Sequence, residues 1–504
     1  MNVGRAALTV GGLTALSRVT GLGRDLLMAA ALGAGPAADA LFISLKLVDI
    51  QRRLFAEGAF AAAFVPLYVR LRASEGAAAA ARFAGNALTV LGLALFAVVL
   101  MAEWLMPWAV RGLATGFVPG SLQYVLTVEL GRITIPYLLL VSLAALFSSV
   151  LQASHRFAAA AFAPVVLNVV LVAALLVTGA QDVQAARFIA WGVVAAGGLQ
   201  VAWLAVAAWR AGLMPRIRWP RWSTNVRRLG RLLGPGLLGI GVIQLNLLVA
   251  SWFATHLPTG TVAYLFYAGR LVQLPIGIVG VALGTTLLPA LSRVVGESSP
   301  AAGILNRTLE LGLLVGLPAA VGLALLAQPI VAVLFERGEF GPEAVLATGQ
   351  MVAGLALGLP AQVLAKVMAP GFFAREDTGS PVWAAGLALA VNVAAAALLS
   401  PALGHIGLAL ALSLASWVNL FGLAWILWRR EHLRLDASLL RRALGLGAAA
   451  ILMAAVLHTT RGLVAEPGAA ALASVIGVGA LVFLVTAWVA GAVDPRALTR
   501  AARA

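Results

Sequence analysis

Residues 159–180, AAAFAPVVLNVVLVAALLVTGA, and 470–492 carry no charged side chain over more than twenty positions. An apolar run of ~20 residues is the length an α-helix needs to cross the hydrocarbon core of a bilayer. Inside lipid every backbone polar group must be satisfied within the segment, so such runs can only be helices. Similar runs recur along the whole chain, and an outer-membrane barrel is excluded because its strands are short and alternate in polarity. Taking ~20 apolar residues per span, the sequence predicts an all-α polytopic membrane protein with about 14 transmembrane helices. The expected spans are 7–32, 37–70, 84–111, 122–152, 159–180, 185–210, 232–256, 261–293, 308–334, 345–373, 381–400, 405–428, 443–462 and 470–492. The composition agrees, with 62% hydrophobic and 11% charged residues, against ~25% charged in soluble domains.

The net charge of +16 could suggest nucleic acid, but no basic face with interleaved aromatics accompanies it, so no nucleic-acid partner is expected. Its distribution is topogenic instead. With the N-terminus inside, the cytoplasmic loops hold Arg70, Arg72, Arg82, Arg156, the cluster from Arg210 to Arg231, Arg293, Arg307, Arg375, Arg429, Arg430, Arg441, Arg442 and the tail. The outside loops hold only Arg111, Arg187, Arg337 and Arg461, with Arg132 ambiguous. That asymmetry predicts both termini in the cytoplasm of a bacterial inner-membrane protein, with membrane lipids against the basic loops. The first apolar segment runs into Arg24–Asp25 without a small-residue cleavage site, so no cleavable signal is expected. The sequence has no cysteine, which removes disulfides, thiolate metal sites and a cysteine nucleophile.

Against this background the first two spans stand out. Between them they carry Arg18, Arg24, Asp25, Asp39, Lys46, Asp49, Arg52, Arg53 and Glu57. A cation at the bilayer centre costs roughly 2.5–3.5 kcal/mol on the lenient scale, so five facing lipid would cost more than ~12 kcal/mol. They are expected to face a water-filled cavity or one another, and a surplus of cations makes that cavity attractive to an anion.

Arg18 and Arg24, six residues apart, project from different flanks of one helix. Gly21 and Gly23 between them are expected to let the helix bend or unwind there. Arg24 has a structural alternative in a pair with Asp25. Arg52 and Arg53 point about 100° apart; Arg52 is assigned to substrate, while Arg53 is placed to pair with Glu57 along the helix. Asp39, at the start of its span, suits either a dipole-capping or a gating role. Lys46 and Lys366 are the only lysines and both lie in apolar spans, where a compact ammonium can hold one phosphate oxygen. Arg270 sits in an apolar run without a nearby carboxylate, which also assigns it to an anionic ligand. Asn168, Gln244, Asn246, Asn392 and Asn419 read as interhelical hydrogen-bonding amides.

The chain also resembles itself. Leu41–Val48 (LFISLKLV) resembles Leu265–Val272 (LFYAGRLV), pairing Lys46 with Arg270; Pro136 and Pro360 pair at the same offset, and Pro66 with Pro289 within one residue of it. This predicts a duplicated six-helix unit, with an N-terminal lobe 1–210, a basic linker 211–231, a C-terminal lobe 232–430, and 431–504 as an addition outside the repeat.

Catalysis finds no support in the sequence: the five histidines are scattered, and G-x-S-x-G, H-E-x-x-H and P-loop patterns do not occur. The alternatives are a flippase for some polyprenyl-diphosphate oligosaccharide, a drug exporter for cations, which would require an acidic cavity, an enzyme acting on polyprenyl phosphates, whose catalytic carboxylates would have to come from Asp25, Asp39, Asp49 and Glu57, and a scaffold, for which buried charge would be pure cost.

The segments SRVTGLGRD, QRRLFAEGAFAAAFVPLY, FYAGRLVQLPIGIVGVALGTTLLPALS and KVMAPGFFAREDTGSPV resemble, in order and spacing, the signature stretches of the MurJ (MviN) lipid II flippases, a family of the multidrug/oligosaccharidyl-lipid/polysaccharide exporter superfamily. The resemblance implies two pseudo-symmetric six-helix lobes in a V around a cationic cavity, two further helices lining a groove for a lipid tail, and alternating access. It implies a transporter rather than an enzyme, with lipid II as partner and a monomer as the working state. It also implies that Arg24, Arg52 and Arg270 contact the substrate diphosphate, that Arg18 and Asp39 are required, and that Asp25 orients Arg24. Three departures accompany it: Lys46-Leu47-Val48-Asp49 replaces the family's usual K-L-P-N, Gly269 precedes Arg270 where a polar residue is common, and the seventh span offers Gln244 and Asn246 where some members bind sodium with an aspartate. No cofactor is therefore expected, and the membrane potential rather than sodium is the expected driving force.

Overall fold

The computed structural model describes residues 3–55, 59–216, 219–284, 287, 291, 298–430, 432–433, 436–464 and 468–492. Among these, the regular elements are all helical. In chain order they are α1 (Val3–Leu32), α2 (Pro36–Phe55), α3 (Ala59–Glu75), α4 (Ala77–Leu113), α5 (Leu122–Thr134), α6 (Tyr137–Ala153), α7 (Ala158–Thr178), α8 (Asp182–Arg210) and α9 (Thr224–Thr255). There follow α10 (Thr261–Gly284), α11 (Ser298–Leu325), α12 (Ala327–Phe335), α13 (Pro342–Ala356), α14 (Leu359–Phe373), α15 (Gly379–Leu403), α16 (His405–Arg429), α17 (Ala437–Thr460), a short 3-10 turn (Arg461–Val464) and α18 (Ala469–Val489).

Nine described helical segments are long and apolar enough to cross a membrane, and ten if α13 and α14, bent by 44°, form one span. The expected count of fourteen is not reached on that criterion. The remaining expected segments fall in α1, α2–α3, α9 and α10: the first two are diluted by their own charges, and the last runs beyond the described residues.

The polar sequence marks explain the helix ends. Ser121, Ser223 and Asp436 each accept an amide N–H three residues on, from Tyr124, Val226 and Leu439, which satisfies donors a helix start leaves open. The paired prolines mark breaks. Pro136 stands between α5 and α6, and Pro360 lies in the first turn of α14 just after α13 ends. Proline removes a donor and crowds the preceding turn, so the carbonyls it orphans need other partners. At the second break Ser413 donates to the Gly354 carbonyl at 2.7 Å and Trp417 Nε1 to the Leu357 carbonyl at 3.0 Å.

The chain forms two compact units, Met1–Ala263 with Arg337–Phe340, and Tyr264–Glu336 with Gly341–Ala504. This division follows packing, whereas the expected lobes follow sequence register, and α9 packs with α2, α3 and α4 in the first unit. That unit has a core of stacked rings, Phe60 on Phe64 and Phe64 on both Tyr68 and Phe83. In the second unit, α17 and α18 pack on each other and on α11 around Leu326, Met453, Leu457 and Phe483. Large apolar side chains point outward in both units, among them Val177, Trp191, Leu398 and Leu481, as suits a surface solvated by lipid.

Candidate functional site

Arg24 of α1 is positioned by its neighbour Asp25 and by α7. Arg24 donates from Nε (3.0 Å) and Nη2 (2.6 Å) to one carboxylate oxygen of Asp25, and from Nη1 to Asn168 Oδ1 at 2.9 Å. Asn168 is buried on α7, and its Nδ2 donates back to α1, to the Ser17 carbonyl at 2.9 Å and Thr20 Oγ1 at 3.1 Å. One amide therefore fixes a guanidinium and bridges two helices. The Arg24 and Asp25 side chains are only 13% and 6% exposed, so the pair is held largely away from solvent.

Helix α1 runs unbroken through Gly21 and Gly23, so it is not unwound there. The physical reason at Gly21 is packing: a Cβ there would stand 3.4 Å from Asn168 Nδ2, so the missing side chain is where the amide sits. Arg18 is exposed on α1.

Asp39, in the first turn of α2, is buried and turns its carboxylate to the start of α10. Oδ2 accepts the Gly260 amide at 2.7 Å and Oδ1 the Ala263 amide at 3.0 Å; Gln123 Nε2 approaches Oδ2 at 3.5 Å and donates to Thr259 Oγ1 at 3.1 Å. A helix N-terminus carries partial positive charge and open N–H groups, so a carboxylate from another helix is a strong cap. Nearby the backbones touch. Glu339 N–H donates to the Ala30 carbonyl at 2.9 Å, and a Cβ on Gly33 would come 2.3 Å from the Glu339 carbonyl oxygen. A Cβ on Gly116 would lie 2.1 Å from the Thr255 carbonyl oxygen.

The other candidates are distributed over both units. Lys46 and Asp49 are half-buried on α2. Arg52 and Arg53 stand in its last turn, but their side chains, and Glu57 altogether, lie outside the described residues. In the second unit, the Arg270 guanidinium sits 4.8 Å above the Phe266 ring, and Lys366 is exposed on α14. The side chains of Gln244 and Asn246 are likewise outside the described residues. Within the first unit, then, Arg24 and Asp25 are brought together, while Asp39 is engaged by α10.

The sequence pattern of the family described as "Lipid II flippase MurJ" matches residues 28–479. The chain belongs to the MurJ family. It is 41% identical over 448 residues to a "Probable lipid II flippase MurJ" of Rhizobium tropici, covering 88% of this chain and 84% of that protein. It is 32% identical over 468 residues to the "Lipid II flippase MurJ" of Burkholderia cenocepacia, covering 91% and 90%. Its fold is similar to a solved structure titled "Lipid II flippase MurJ, inward closed conformation", with a TM-score of 0.80, 22% identity, and 96% and 98% of the two chains covered. It is also similar to an inward-facing multidrug transporter of the MATE family, with a TM-score of 0.70, 14% identity and 84% and 98% coverage. This MurJ-family chain is thus a multi-pass helical membrane protein.

Two of these contacts are not legible in the sequence. Asn168 suits an interhelical hydrogen bond, but nothing in the sequence links α7 to Arg24. Gly260 and Thr259 are unmarked as partners of Asp39; the available signal is an apolar helix opening after a Thr-Gly turn with no acidic residue in its first turn.

Proposed function

We propose that this protein moves lipid II, a polyprenyl-diphosphate glycolipid, from the cytoplasmic to the outer leaflet of a bacterial inner membrane, with both termini cytoplasmic and the monomer as the working state. It acts as a transporter by alternating access, its two six-helix lobes being 1–210 and 232–430 and its lipid-tail groove lying in 431–504. Membership of the MurJ family over residues 28–479 carries this reading.

The chemistry of the charged helices supports it. A diphosphate with about two negative charges is best held by several guanidinium groups, which bind its oxygens bidentately. Arg18, Arg24, Arg52 and Arg270, with Lys46 and Lys366, supply that charge. Arg24 is kept ready by Asp25, and its Nη1 donates to the neutral Asn168 side-chain oxygen, a partner more easily exchanged for phosphate than a carboxylate is. Asp25 then holds the guanidinium plane while phosphate takes its outer edge. Asp39 gates by capping α10. The lipid tail stays in the bilayer, so only the headgroup crosses.

An empty site rich in cations resists closing until an anion neutralises it, which couples the conformational change to loading. A potential of 100 mV, inside negative, is worth about 2.3 kcal/mol per charge moved fully across and favours outward movement of an anionic headgroup. The test is a protected-leaflet assay with labelled lipid II and the purified protein in vesicles. Transport that rises with an inside-negative potential and persists without sodium is expected; no translocation with a potential applied would overturn the proposal.

A further inference from the structure

In the second unit, α15 and α16 form a closely packed antiparallel pair, and both are apolar enough to span a membrane. The start of α15 and the end of α16 therefore lie at one bilayer surface. There they enclose a cleft of about 350 Å³ lined by Ser380, Trp383, Trp425, Arg429 and Arg430. Trp383 and Trp425 are 54% and 50% exposed, the placement of rings that sit where hydrocarbon gives way to headgroups.

The two arginines are held in different ways. Arg430 is fixed through Nη1 to Asp377 and Nη2 to Ser380 Oγ at 3.0 Å, and the Ser380 hydroxyl in turn donates to Asp377 at 2.6 Å. Arg429 lies 5.0 Å over the Trp425 ring and has no carboxylate partner among the described residues. Asp377 thus neutralises Arg430, while Arg429 keeps its charge at the mouth of the cleft. A ring floor, a free guanidinium and a fixed one beside it match a phosphodiester with acyl chains running down along Trp383. A free phosphate would use the cations but leave the rings idle.

We propose that this cleft is a binding site for the headgroup of an anionic glycerophospholipid, separate from the residues assigned to lipid II and independent of flipping. The test is native mass spectrometry of the delipidated full-length protein, titrated with phosphatidylglycerol or phosphatidylcholine of identical chains. Wild type is expected to retain phosphatidylglycerol preferentially. Arg429→Gln, which leaves the Asp377–Arg430–Ser380 cluster in place, should weaken that retention about fivefold, on the scale of one basic residue beside an anionic headgroup. Trp425→Leu should weaken it too, with the charges retained. Equal retention of the two lipids by wild type, or an unchanged preference in both variants, would overturn the proposal. So would displacement of phosphatidylglycerol by millimolar inorganic phosphate, which would make the cleft a site for the free ion.

Discussion

Asp39 and Gly260 are joined by a 2.7 Å hydrogen bond from the Gly260 amide to Asp39 Oδ2, across 221 positions of sequence. The carboxylate closes the N-terminus of a helix that has no acidic residue in its own first turn, and nearby a Cβ on Gly33 or Gly116 would run into main chain. Asp39→Ala orphans the Gly260 and Ala263 amides, and each unsatisfied buried donor costs about 1–3 kcal/mol. A lower thermal midpoint in detergent is expected, with Asp39→Asn intermediate because its amide oxygen can still accept one of the two bonds. Equal midpoints for wild type and Asp39→Ala would show that the cap does not stabilise the fold.

Gly33 and Gly35 give a matched pair of substitutions in the same turn. Gly33 has φ of +58° and a Cβ there would meet the Glu339 carbonyl oxygen at 2.3 Å, whereas Gly35 faces open space. Gly33→Ala should lower the thermal midpoint, since overpacking of this kind costs about 1–3 kcal/mol, and Gly35→Ala should leave it within error.

Asn168→Leu tests the bridge between α1 and α7. Interhelical hydrogen bonds inside membranes average ~0.6 kcal/mol and reach ~1.7, so a modest loss of stability is expected. Transport should fall more steeply than stability, because Arg24 Nη1 loses its orienting acceptor. A transport rate that only tracks the fraction of folded protein would restrict Asn168 to packing.

Asp377 predicts a pH effect at the membrane surface. Bonds from Ser380, with the Arg430 charge adding to them, lower its carboxyl from 3.8 to about 2. A depressed carboxyl stabilises the fold fully above the unfolded value, and that contribution is lost as pH falls from 3.8 through about 2. The gap in thermal midpoint between wild type and Asp377→Ala should therefore be constant from pH 7 to 5 and narrow toward pH 3. A gap that widens on acidification would contradict the assignment.

The sequence made the helical class legible because long apolar runs leave no other solution in lipid, and it placed charge on α1 and α2, where Asp25 and Asp39 are buried. Pro136 and Pro360 likewise mark real helix breaks, since proline acts locally. The partners were less legible. Arg24 finds Asp25, its chain neighbour, but also Asn168, and Asp39 finds an amide on α10. Such contacts depend on which helices pack together, and local pattern carries no record of that. Gly21 shows the same limit: as a weak point it is a property of α1 alone, but as a seat for Asn168 it is a property of two helices.

In the proposed mechanism Arg24 is the cation held ready for a diphosphate. The most direct measurement is translocation of labelled lipid II in vesicles under an inside-negative potential, comparing wild type with Arg24→Ala and Arg270→Ala at equal amounts of folded, inserted protein. Transport by wild type and its loss in both variants is the predicted result; wild-type rates in Arg24→Ala would contradict the account.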